Sequence, residues 1–137
     1  MHQLLQNIRS GNLELRDIPA PLAQPGEVLI ANAASVISAG TERMVMDLAK
    51  KSLLGKARER PDHVRRVLEK VRQEGLLSTV RQVREKLVSP MAMGYSSAGV
   101  VLACGADVAD YKPGDRVASN GPHAEIVCVP KNLCARV

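Results

Sequence analysis

Residues 94–130, GYSSAGVVLACGADVADYKPGDRVASNGPHAEIVCVP, contain three apolar runs divided by turn residues. SSAGVVLAC, RVAS and AEIVCVP are too short for independent helices and are bounded by Gly, Pro, Asp and Asn, so each reads as a strand. In KPGDRV, Pro113 presets φ, Gly114 can take a positive φ, and Asp115 can bond neighbouring amides before the strand starts. In GYSSAGVV, Gly94 and Gly99 permit the close backbone approach that a tight barrel needs. A last short run, CARV, follows at the C-terminus.

Upstream, from Gln3 to Ile37, the pattern is also strand-like. LLQNI and the alternating LELRDI flank Ser10-Gly11-Asn12, which predicts a hairpin, and VLIANAASVI follows Pro25-Gly26. Pro19 and Pro21 fall between strands, where a missing amide donor does no harm. The total is about seven short strands in one domain of 137 residues and 14.7 kDa.

Between these β sections, from 43 to 90, the period changes to that of a helix. Val64, Val67, Leu68 and Val71 form one stripe, and Leu76, Val80, Val83 and Leu87 form another. Asp62 after Pro61 marks a helix start and Gly75 a break, which predicts a helical hairpin; a shorter helix is expected from Thr41 to Leu54, ended by Gly55. Arg65, Arg66, Lys70, Arg72, Arg81 and Arg84 occupy the opposite face. The segment carries 13 Lys/Arg against 6 Asp/Glu, so the net +5 of the chain originates here. The expected class is therefore mainly β with a helical insertion.

Composition narrows the functions available. With no Trp, no Phe and two Tyr, aliphatic side chains must build the core, and stacking platforms for bases are nearly excluded. No nucleic-acid-binding fold is recognisable either. Three cysteines without CxxC spacing provide neither a disulfide framework nor a four-cysteine zinc site, which fits a reducing cytoplasm. No secretory signal and no membrane-length apolar run is expected.

Five strings stand in fixed order: PGEVLI at 25–30, SAGTE at 38–42, GYSSAGVV at 94–101, KPGDRVAS at 112–119 and HAEIVCVP at 123–130. Together they resemble the N-terminal GroES-like substrate domain of medium-chain dehydrogenases/reductases, the alcohol dehydrogenase superfamily. The resemblance implies a GroES-like, partly open β-barrel carrying the inserted hairpin. It also implies a following Rossmann domain that holds NAD or NADP. No GxGxxG loop occurs in this chain, which ends at Val137 near where that connection would begin, so a domain of a longer protein is expected, inactive alone. The wording of the insertion is similar to bacterial two-part oxidoreductases with a following Gfo/Idh/MocA-type half. That similarity implies a sugar or sugar-nucleotide substrate in polysaccharide biosynthesis.

The departures from the family pattern locate the candidate site. Where zinc-dependent members carry CGTD and GHE, this chain has AGTE and GYS, placing Ala39, Tyr95 and Ser96 at ligand positions. None of these supplies a thiolate or imidazole, so neither catalytic zinc nor, without a four-cysteine lobe, structural zinc is expected. Thr41 matches the family's proton-relaying hydroxyl, although as a helix N-cap with Glu42 in the first turn it would be structural. Tyr95 can donate to a developing alkoxide, or can merely fill the vacated space. His123 stands where the family usually has an aromatic, with a structural and a chemical role both open. His2 and His63 are expected to be uninvolved and solvent-facing, respectively.

The basic insertion admits three readings: a solvated helical face, a lid whose arginines bind an anionic substrate, or a partner or self-association surface. Two functions are thus carried forward. One is the substrate-side domain of a zinc-independent NAD(P)-dependent oxidoreductase with candidate residues Thr41, Tyr95 and His123. The other is a non-catalytic interaction module that uses the basic helices.

Overall fold

In a computed structural model, described over residues 1–8, 10–50, 61–75, 78 and 90–137, the strands form two antiparallel sheets. Strand β1 (His2–Asn7) pairs with β2 (Leu13–Asp17) as the sequence predicts, with Gly11 at φ 76 in the turn. On its other side β1 takes β4 (Pro90–Ala92), through Leu5 to Asn7.

The larger sheet contains β3 (Glu27–Ser35), β5 (Ser97–Cys104), β6 (Arg116–Ser119), β7 (Ile126–Pro130) and β8 (Cys134–Arg136), in the order β7-β3-β5-β6-β8. The two sheets do not close on themselves, and this is the partly open GroES-like arrangement. Alternation on β3, β5, β6 and β7 turns Val28, Ile30, Val101, Val117, Val127 and Val129 into one core. Six aliphatic side chains replace the aromatics that the sequence lacks, and Val28, Ile30 and Val117 are completely buried.

Three differences from the sequence pattern have physical causes. Residues 90–92, at the boundary of the expected insertion, form a strand because β1 offers them a free edge. Proline opens that strand, where its missing donor costs least. Strand β2 alternates in sequence but is exposed throughout, since it is the outer edge of its sheet. Helix α1 (Ala39–Lys50) starts two residues before Thr41.

Helix α2 (Pro61–Glu74) has Asp62 in its first turn, and Gly75 follows it at φ 88 with its N–H on the Val71 carbonyl, as a C-terminal stop requires. Val64 and Val67 on its stripe are exposed, so no core covers them. The second stripe, the stop at Gly55, and the side chains of His63, Arg66, Lys70, Arg81 and Arg84 lie outside the described residues. Among the described residues no helix is long and apolar enough to cross a membrane.

The sheets meet at one short segment. Leu4 N–H donates to the His123 carbonyl at 2.9 Å, His123 N–H to Met93 at 2.7 Å, and Met93 N–H to Leu4 at 3.0 Å. From the other side, Asn32 of β3 donates its backbone N–H to Glu125 and its amide to Ala124, each at 2.9 Å. His123 is thereby fixed between the sheets before its side chain makes any contact.

Candidate functional site

The site grows from the start of α1. Ser38 precedes the helix; its backbone N–H donates to Glu42 Oε1 at 2.9 Å, while Glu42 N–H returns a bond to the Ser38 carbonyl at 2.9 Å. This is a reciprocal cap one position further into the helix than the usual capping box. It draws a carboxylate inside the fold, where Glu42 is 7% exposed.

The second carboxylate oxygen meets a histidine. Glu42 Oε2 lies 3.1 Å from His123 Nε2, and His123 Nδ1 lies 2.8 Å from Ser35 Oγ at the end of β3. The Ser38 amide, and after it the His123 ring, hold the Glu42 carboxyl below its ordinary range against the opposing effect of burial. Beneath the ring runs Gly94 at φ 89, and any side chain there would strike the imidazole.

Tyr95 follows on the rim, 48% exposed. The Ser38 and Thr41 side chains beside its phenol hold its pKa below the ordinary 10.0, opposed by burial and the Glu42 charge. Ser38 therefore acts on both groups: its amide bonds Glu42, and its side chain lies beside the Tyr95 phenol. Thr41 is exposed in the first turn of α1, so its hydroxyl reaches the phenol rather than capping the helix.

A cleft of about 500 Å³ opens beside this cluster. Leu4, Ile37, Met46 and Met93 are among its apolar walls, with Glu42, Arg43, Asp47 and His123 as its polar lining. Of the three residues expected from sequence, Thr41 and Tyr95 come together, while His123 turns to Glu42 and Ser35. The spacing of Ser38 and Glu42 signalled a helix start, but nothing in the sequence marked Ser35, 88 positions from its histidine.

Neither implied prosthetic group finds a complete set of ligands here. Ala39 presents a methyl, Tyr95 and Ser96 present hydroxyls, and among the described residues no three His, Cys, Asp or Glu side chains cluster as metal ligands. For a dinucleotide, the sequence offers no glycine-rich loop to cradle the phosphates.

The profile of the alcohol dehydrogenase GroES-like domain matches residues 65–137. No curated protein sequence matches the chain. Among solved structures, the Escherichia coli quinone oxidoreductase complexed with NADPH superposes with a TM-score of 0.65 at 12% identity, over 100% of this chain and 33% of that one. The quinone oxidoreductase of Pseudomonas syringae pv. Tomato DC3000 gives 0.63 at 19%, over 99% and 33%, and that of Coxiella burnetii 0.61 at 20%, over 99% and 36%. The chain spans about a third of the length of these structures.

Proposed function

The chain belongs to the alcohol dehydrogenase GroES-like domain family, and we propose that it forms the substrate-side half of a zinc-independent, NAD(P)-dependent oxidoreductase. The observation that carries this reading is a largely apolar cleft lined by Ala39, Glu42 and His123, with the Ser38, Thr41 and Tyr95 hydroxyls gathered at the adjoining start of α1. A Rossmann domain outside this chain would hold the cofactor, whose nicotinamide supplies or accepts hydride. The residues here would bind and orient the other reactant.

In this reading Tyr95, on the rim, would donate its phenolic proton to the oxygen of a carbonyl as negative charge develops there. The Ser38 and Thr41 hydroxyls beside the phenol would stabilise the phenolate left behind, in keeping with its lowered pKa. His123 and Glu42 close the polar side of the cleft. The aliphatic and thioether walls suit a weakly polar carbonyl compound of the quinone type. The neighbours named above do not support a sugar or sugar nucleotide as the substrate. Those neighbours do not favour a non-catalytic docking module either.

The test is NADPH consumption with a small quinone by the longest natural form of the protein, compared with the 137-residue chain. The longer form is expected to turn over and the chain alone not to. Tyr95→Phe should lower kcat about 100-fold with little change in KM. Absence of turnover in every form with quinone and simple carbonyl acceptors overturns the proposal.

A further inference from the structure

Ser35, His123 and Glu42 form a hydrogen-bonded line that hydride transfer leaves unused, and it runs from the interior to the surface. Glu42 Oε2 is 3.1 Å from Nε2, and Ser35 Oγ is 2.8 Å from Nδ1 of the same ring. The side chains of His123 and Glu42 are each 10% exposed, whereas Ser35 is exposed. An ionised carboxylate can only accept, so a neutral ring carries its proton on Nε2. Nδ1 is then left as an acceptor, and the Ser35 hydroxyl is the donor that faces it.

We propose that Ser35 is an activated nucleophile, with His123 Nδ1 as its general base and Glu42 as the residue that orients the imidazole, and that it accepts acyl groups from activated esters. A hydroxyl within reach of a base whose other nitrogen is held by a third group is the recurring geometry of acyl-transfer serines. The two ring nitrogens exchange their usual partners here, which leaves the proton chemistry unchanged. The parts are rigidly placed. Val36 N–H donates to the Ser96 carbonyl at 2.9 Å and fixes the end of β3, Gly94 sets the floor under the ring, and the Ser38 amide holds Glu42.

Ser35 Oγ bonds to the ester carbonyl carbon while its proton passes to Nδ1. The bond to the leaving oxygen then breaks, and that oxygen takes the proton from Nδ1. Water attacks the acyl-serine, Nδ1 takes its proton, and Oγ recovers it as the carboxylic acid leaves. No oxidant, reductant or metal enters this balance, so the proposal does not depend on the oxidoreductase reading.

The experiment treats the 137-residue chain with a fluorophosphonate and with p-nitrophenyl acetate, and locates the adduct by peptide mass spectrometry. The expected result is an adduct on Ser35 and slow release of p-nitrophenol. Both should be abolished in Ser35→Ala and reduced about 100-fold in His123→Gln, which keeps the side-chain bulk. Glu42→Gln, which preserves shape but can donate to the ring, should lower the labelling rate while leaving the sheet amide spectrum in place. A loss of labelling that accompanies a loss of the folded spectrum is discounted in favour of the variant that stays folded. An adduct elsewhere, no adduct on the folded chain, or labelling of Ser35 unchanged in both folded His123→Gln and Glu42→Gln overturns the proposal.

Discussion

A Cβ added to Gly94 would lie 2.7 Å from the Cγ, Cδ2 and Nδ1 atoms of the His123 ring. Gly94 also has φ 89, a conformation that side-chain-bearing residues rarely adopt. Gly94→Ala should therefore meet two penalties, backbone strain and displacement of the ring from Ser35 and Glu42. A loss of about 2 kcal/mol or more is expected, measured as a shift of the urea midpoint. A midpoint equal to wild type would mean that the ring is not held against this glycine.

Glu42 should make the fold sensitive to acid. Its carboxyl is held below the ordinary 4.5, mainly by the Ser38 amide. A carboxyl whose pKa is lower folded than unfolded stabilises the fold above the unfolded value, and that contribution disappears as pH falls through the folded value. Denaturation midpoints of wild type should thus decline from about pH 4.5 downward, while Glu42→Gln should be less stable at neutral pH and decline less steeply. Parallel curves for the two proteins would show that the Ser38–Glu42 bond contributes nothing to folding.

The strands of the larger sheet and the side chains of the site differ in how far the sequence reveals them. The strands of the larger sheet were readable because alternation and turn chemistry are local: Val28 and Ile30 point inward for the same reason that Pro113 and Gly114 turn. Strand β4 was not, because three residues follow no period and only the edge of β1 makes them a strand. Thr41 was visible as a match, and Tyr95 as a replacement, within fixed strings. Ser38 was less so, because only folding brings it beside Tyr95. Glu42 looked like a helix-start residue, which it is, but only the approach of His123 from 81 positions away gives its second oxygen a role.

Gly99 tests the closest approach within the core sheet. A Cβ there would lie 2.0 Å from the Ala31 carbonyl oxygen and 2.9 Å from Asn32 Cα, both backbone atoms of β3 that cannot rotate away. The pairing of β3 with β5 is irregular at this point, with a register shift between Asn32 and Ala34. Gly99→Ala should separate the strands carrying Ile30 and Val101. A loss of about 3 kcal/mol is expected in urea denaturation, with faster exchange of the β3 and β5 amides. Wild-type stability would contradict this contact.

Cys128 should be a slow thiol although it is only half-buried. Burial first, and then the Glu27 carboxylate 3.0 Å from Sγ, push its pKa up to about 11, against a smaller opposing effect of the Gln24 backbone. The thiolate is the reacting species, so iodoacetamide at about pH 8 should modify Cys128 in the folded chain roughly 100-fold more slowly than in urea. Glu27→Gln removes the negative charge beside the sulfur and should recover part of that rate without unfolding the sheet. If the variant reacted no faster than wild type, burial alone would account for the protection, and the carboxylate would merely accept the thiol proton.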